Sequence, residues 1–219
     1  MSNRSSSPKN IGIIIGSTRA KRIGPQVAEF IKKTLESEST DTTSPILALI
    51  DIAAFNLQVF DEPVLPALVP TKGEFIYEHS KAWNAEIGKY DGYIIVTAEY
   101  NYGIPGAVKN AIDYLYKSWI GKPVLIVSYG IFGGNLASAS LKQTLEGMHL
   151  QVMDTRPLLA FPGRDAGNHN MSPALISAMG GVLDDTAVNS WALQKRELLQ
   201  GFAELKEHLS LSAAVPRKA

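Results

Sequence analysis

Apolar residues in this chain fall into two kinds of block. Ile11–Ile15, Ile46–Ile50, Tyr93–Thr97, Pro123–Ser128 and Leu150–Asp154 are short, nearly continuous runs, the last extending through Leu158-Leu159 in its longest reading. Such runs suit strands covered on both faces. Between them, apolar positions recur every three or four residues. Val27, Phe30, Ile31 and Leu35 predict a helix with Pro25 in its first turn. Ile76, His79, Trp83 and Ile87 predict a second helix. Ala107, Val108, Ala111, Ile112 and Leu115 predict a third, starting at Pro105, and Ala137, Leu141, Thr144, Leu145 and Met148 a fourth. Phe55–Pro70 is proline-rich and extended. Beyond a loop at Pro162–Ser172, Ser172-Pro173 reads as a cap and first-turn proline of a short helix to about Leu183. Val188, Trp191, Leu198, Phe202, Leu205 and Leu209 then keep the spacing of one long helix.

Strands alternating five times with helices predict a parallel sheet covered on both faces. The expected fold is an α/β three-layer sandwich with a five-stranded sheet in the flavodoxin-like order 2-1-3-4-5. Residues 1–9 read as a disordered tail, 10–211 as one domain and 212–219 as a second tail. Within the domain, 162–190 form a loop and short-helix extension, and 191–209 a C-terminal helix. That order puts strand 1 beside strand 3, so the loops leaving their carboxyl ends frame a crevice. Open α/β sheets bind small molecules at such a place.

Three loops carry candidate chemistry there. Gly16-Ser17-Thr18-Arg19-Ala20-Lys21-Arg22-Ile23-Gly24 joins hydroxyls, backbone N–H groups and three cations to a helix N-terminus, all of which favour a phosphate. It matches neither the G-x-G-x-x-G nor the G-x-x-x-x-G-K-[ST] pattern. Glu99-Tyr100-Asn101-Tyr102 follows strand 3, with free backbone groups for the edge of a flat heterocycle and rings to cover a face. Ser128-Tyr129-Gly130-Ile131-Phe132-Gly133-Gly134 follows strand 4, and its glycines allow backbone to approach a ligand closely. Converging at one sheet end, these loops describe a site for flavin mononucleotide (FMN).

Composition narrows the alternatives. The chain has 219 residues, 45% of them apolar, so it can bury a sizeable core. With 21 basic and 21 acidic residues it has no global charge to draw nucleic acid or an anionic membrane. Cysteine is absent, which excludes disulfides, thiolate catalysis and Cys-bound metals. No apolar stretch approaches the roughly 20 residues of a membrane span. The polar N-terminus lacks the apolar centre of a secretory signal, so a cytoplasmic protein is expected. The four histidines show no metal-ligand spacing. Asp61-Glu62 and Asp184-Asp185 read as caps or solvated turns, Trp83 and Trp191 as core or dimer contacts, and Trp119 as bordering the site or an interface.

The ordered set Gly16-Ser17-x-Arg19-x-x-Arg22, Asp61-Glu62-Pro63, Trp83, Thr97-x-Glu99-Tyr100-Asn101, Pro105-Gly106-x-x-Lys109-Asn110-Ala111-x-Asp113 and Ser128-Tyr129-Gly130-x-x-Gly133-Gly134 resembles the NAD(P)H-dependent FMN reductases and quinone reductases of the flavodoxin-like superfamily. The likeness runs from about Ile11 to Leu159. It implies non-covalent FMN, NADPH or NADH as hydride donor, a quinone-like acceptor, a ping-pong cycle, and a homodimer or tetramer. By position, Ser17, Arg19, Arg22, Ile23 and Gly24 hold the phosphate. Ala98, Glu99, Tyr100, Asn101 and Tyr102 line the ring, and Ser128, Tyr129 and Gly130 close its other side. No catalytic side chain is implied, with Tyr102 and Tyr129 as candidate assistants and Lys21 as either a solvated lysine or a contact for an NADP 2′-phosphate. Two positions depart from the family pattern: Ala98 stands where proline is usual, and Ile131 where glycine is common. Ala98 is expected to relax its loop and Ile131 to narrow the nicotinamide or acceptor site. Two rival readings are a flavodoxin-type electron carrier and a redox-sensing flavoprotein that works through a protein partner.

Overall fold

A computed structural model describes residues 8–38, 44–71, 73–163 and 171–214, with side chains as far as 211 in the last helix. Its elements run β1 (Asn10–Ile15), α1 (Gly24–Ser37), β2 (Ile46–Asp51), α2 (Glu78–Ile87), β3 (Gly92–Ala98), α3 (Gly106–Asp113), β4 (Pro123–Gly130), α4 (Asn135–Gly147), β5 (Gln151–Val152), β6 (Leu158–Ala160), α5 (Pro173–Met179), α6 (Asp185–Ser190) and α7 (Ala192–Ala214). Short 3-10 turns at Ile52–Phe55 and Pro66–Leu68 interrupt the extended proline-rich segment.

All strand pairs are parallel, in the order β2-β1-β3-β4-β5. This is the expected topology. Because β-strand side chains alternate between faces, each central strand feeds two cores. Ile94 and Val96 face one layer with Val27, Ile31 and Leu35 of α1 and Leu198, Phe202 and Leu205 of α7. Tyr93 and Ile95 face the other with Trp83 of α2, Ile112 of α3 and Leu141 of α4. All three tryptophans are 1% exposed and belong to the cores, Trp119 included. Each indole N–H donates to a backbone carbonyl, on Ala111, Ile112 and Ala160 respectively for Trp83, Trp119 and Trp191.

The fifth sheet position is divided. Gln151–Val152 pairs with the start of β4 and Leu158–Ala160 with its end. The intervening turn is pinned from both layers: Glu204 of α7 accepts from Thr155 N and Oγ1, and Arg156 donates to Ser138 O and Oγ on α4. Where proline is usual, Ala98 continues β3 in register with Tyr129. The third helix starts one residue later than expected, with Pro105 as its extended cap. The short helix opens as predicted, Ser172 Oγ accepting from Leu175 N, but it stops at Met179 before Gly180-Gly181. The expected long C-terminal helix is two helices, since Asp184 caps α6 by accepting from Ala187 N and Trp191 separates α6 from α7. Of the expected tails, 1–7 and 215–219 lie outside the described residues. Lys9 is already fixed, accepting at its carbonyl from Ile46 N and pairing with Asp91. Among the described residues, no helix is long and apolar enough to cross a membrane, and no cluster of His, Asp or Glu is arranged to hold a metal.

Candidate active site

The loop from β1 to α1 begins inside the molecule. Gly16 N donates to Val96 O at 2.9 Å, which turns the chain across the end of β3. Ser17 is fully buried, and its Oγ has no hydrogen-bond partner. A Cβ on Gly24 would lie 2.0 Å from that Oγ and 3.0 Å from the Tyr129 hydroxyl, so only glycine lets the start of α1 meet both groups. Among the described residues the buried Tyr129 hydroxyl has only the Ser17 hydroxyl beside it. Burial pushes its pKa up to about 12, although Ser17 works against the shift, so the phenol stays a neutral donor at physiological pH. Ile23 gives α1 no side-chain cap. Two buried hydroxyls with little but each other to bond, and an uncapped helix start, thus converge. Leaving such groups unpaired is costly, which makes them a sign of an absent partner.

The arginines of this loop have different surroundings. Arg22 grips Asp51 at the end of β2 with two bonds of 2.8 and 2.6 Å, and also donates to Ser17 O. The Asp51 bond holds the guanidinium pKa up, against the effect of burial. Burial works against the Asp51 carboxylate, but Arg22 and the Ala53 N–H outweigh it and hold its pKa down. Arg22 therefore braces the loop. Arg19 is exposed and lies 3.5 Å over the centre of the Tyr100 ring. Among the described residues it has no hydrogen bond or ion pair, so its five donors are free.

After β3, Tyr100 and Gly103 exchange backbone hydrogen bonds of 3.2 and 3.1 Å around Asn101 and Tyr102. The central residues have φ of +50° and +62°, the values of a type I′ turn. Positive φ is unusual for a tyrosine, and Tyr102 is 76% exposed at this tip. The Glu99 carboxylate turns to the next loop and accepts from Leu136 N and Ala137 N, capping α4. Gly134 precedes that helix at φ +76°, with backbone atoms of Tyr129 packed on it. Ser128 is buried and donates to Gly133 O at 2.7 Å, which shapes the glycine loop from within.

The three loops enclose one cleft of about 340 Å³. Arg19, Arg22 and Ile23 border it from the first loop, Ala98, Glu99 and Tyr100 from the second, and Tyr129, Gly130 and Ile131 from the third. Its volume lies within the usual range for small-molecule sites, roughly 300–1,000 Å³. Ser17, Gly24 and Ser128 sit behind this lining, and Asn101 and Tyr102 stand outside it. Ile131 does border the cleft, where a bulkier residue than glycine was expected to narrow it. Three features go beyond the residues the sequence pattern marks: Asp51, the capping role of Glu99, and a wall made by α5. Asp51 did leave a trace, as a lone carboxylate ending an apolar strand run.

A parallel sheet in this order with a three-loop cleft at its carboxyl end defines a flavodoxin-like protein. The family model described as NADPH-dependent FMN reductase matches residues 9–161, and the chain belongs to that family. It is 44% identical over 202 residues to the NAD(P)H-dependent FMN reductase ntnL of Nectria sp, covering 91% of this chain and 96% of that one. It is 33% identical over 147 residues to the quinone reductase of Escherichia coli, covering 64% and 71%. Among solved structures, the flavoenzyme NAD(P)H:(acceptor) oxidoreductase FerB of Paracoccus denitrificans superposes with a TM-score of 0.59 at 22% identity, covering 91% of this chain and 98% of that one. At that identity the likeness concerns the fold.

Proposed function

We propose that the protein is an FMN-dependent NAD(P)H oxidoreductase that reduces small flat acceptors of the quinone class. The observation that carries this reading is the meeting of two buried hydroxyls with no partner beyond each other, an uncapped helix start and an uncommitted guanidinium at one end of the cleft. That set fits a phosphate monoester, and the ring-lined remainder fits a planar heterocycle. Ser17, Arg19, Tyr129 and the N–H groups opening α1 hold the phosphate. Arg22, held by Asp51, fixes the Ser17 carbonyl and so sets the shape of the loop. Ala98–Tyr100 and Tyr129–Ile131 give the heterocycle backbone edges and an aromatic flank.

FMN held by Ser17, Arg19, Tyr129 and the N–H groups opening α1 would supply two-electron hydride chemistry between a nicotinamide and an acceptor. The side chains of this chain bind, orient and exclude water; no general base is needed. Backbone N–H groups of the glycine loop favour negative charge, and their preorganisation costs nothing during the reaction. A ping-pong order, in which the oxidised nicotinamide departs before the acceptor enters, belongs to the same reading. A homodimer and a cytoplasmic location are part of the same reading.

The purified protein titrated with FMN, followed by flavin fluorescence and NADPH oxidation against a quinone, tests it. Quenching at stoichiometric FMN and quinone-dependent loss of NADPH are expected. A protein that leaves FMN fluorescence unchanged overturns the reading. FMN binding without NADPH oxidation would assign it instead to electron carriage.

A further inference from the structure

The family match ends at residue 161, yet the cleft does not. Its remaining wall is Leu175, Ala178 and Met179 of α5, with Phe161 beside them. Leu175 and Ala174 are buried against the same core as Ile23, so α5 is anchored by its inner face. Met179 is 61% exposed and still borders the cleft, which leaves an apolar thioether side chain available to whatever occupies it.

A specific clamp seats this wall. The Gln26 side chain on α1 donates to Gly181 O and accepts from Leu183 N, both at 2.8 Å. Gly181, at φ +89°, lies against the backbone of Lys21 and Arg22, with space for a Cβ only 3.4 Å from Arg22 N. The end of α5 is thus tied to the first turn of α1 and to the loop that offers the phosphate donors. An element that borders the cleft and is also fixed to the phosphate loop is placed to hold an occupant against the other walls.

We infer that α5 is a retaining wall for FMN, whose contacts slow its release from the cleft. The inference rests on the FMN reading above and adds to it the residues, beyond the stretch the family model matches, that set how long FMN stays. Leu175, Ala178 and Met179 supply apolar contact to the flavin, and Gln26 is a positioning residue that keeps them in place. Burying a methionine side chain in such a contact is worth enough to change residence time by about tenfold. The two clamp bonds are solvent-facing and contribute less, a change of about fivefold.

The test is the rate of FMN release from loaded protein, read as recovery of free-flavin fluorescence after dilution. The expected order is Met179→Ala fastest, about tenfold above the parent, and Gln26→Ala about fivefold above it. Met179→Leu should restore release to within twofold, since an apolar chain of similar volume refills the wall. Met179 is solvent-facing, so Met179→Ala should match the parent's melting temperature, while Gln26→Ala, which loses two exposed bonds, should lower it by no more than about 2–4 °C. Release unchanged in both variants, with FMN bound by the parent, overturns the role of α5 and leaves the FMN reading standing. Parent protein that binds no FMN overturns the FMN reading, and this inference with it.

Discussion

Two motif-bearing regions of this protein have opposite hydrogen-bonding economies. In the segment around Asp61-Glu62-Pro63, both carboxylates and the Asn110 amide have partners. Glu62 accepts from Ile76 N and Tyr77 N at the start of α2; Asp61 accepts from the Tyr114 hydroxyl at 2.7 Å and touches His79. Asn110 of α3 accepts from Phe60 N and donates to Gln58 O. In the cleft, by contrast, among the described residues the buried Ser17 and Tyr129 hydroxyls have no partner beyond each other, and Arg19 has no acceptor. Saturated polar groups fix a backbone; unsaturated ones wait for a ligand. Both regions belong to the motif set that carries the family resemblance, but only the second has chemistry to spare.

The largest effect should come from the saturated side. Glu62→Ala leaves two backbone N–H groups without their carboxylate and should cost about 3 kcal/mol in urea unfolding, with FMN affinity within twofold of the parent. A loss of FMN binding as large as the loss of stability would erase the distinction. The same carboxylates set the acid limb. Burial pushes Glu62 up, but the Ile76 and Tyr77 N–H bonds outweigh it, and its folded pKa lies below the usual 4.5. A depressed folded pKa gives stability that is fully present above the unfolded value and is lost as pH falls through the folded one. The melting temperature should therefore hold from pH 7 to about 5 and decline below about 4.5, less steeply in Glu62→Gln.

Next in size is Arg19→Ala, which should weaken FMN at least tenfold, within the roughly 10- to 150-fold range for a lost charged hydrogen bond, while unfolding stays within about 0.5 kcal/mol of the parent. Arg22→Ala sharpens the contrast, because it should lower both stability and affinity: it frees Asp51 and unpins Ser17. If Arg22→Ala weakened FMN with no change in unfolding, Arg22 would be a direct phosphate ligand and not a brace. The smallest change is Ser17→Ala. It removes a hydroxyl with no partner beyond that of Tyr129, so stability should be unchanged or slightly higher, while FMN affinity drops about fivefold. Destabilisation of the ligand-free protein by this variant would show that Ser17 serves the fold.

Periodicity made most of the fold legible. Apolar runs and helical stripes located the sheet, its order and both layers, because burial on two faces leaves a strong pattern. The phosphate loop, the tyrosine loop and the glycine loop were legible as one site because topology brings strand ends together. Arg19 and Arg22 looked equivalent in the sequence. What separates them is Asp51, a contact across 29 positions that no local pattern encodes. The same holds for Glu99, whose side chain caps a helix that starts 36 residues later. Helix ends were misjudged where a single residue decided them: Gly180 after α5, Trp191 between α6 and α7. The α5 wall had no local signal, since Ser172-Pro173 marks only the start of a short helix and nothing in that stretch says what it faces.

The divided fifth strand has a bearing on how this protein behaves in a crowded solution. An unbroken outer strand would offer a row of open amides and carbonyls to any other polypeptide in extended form. Here the row is two residues long, then bent away by Thr155 and Arg156, then three residues long. Neither piece is a template for an intruding strand, and the bend guards this flank of the sheet against fibril-like stacking.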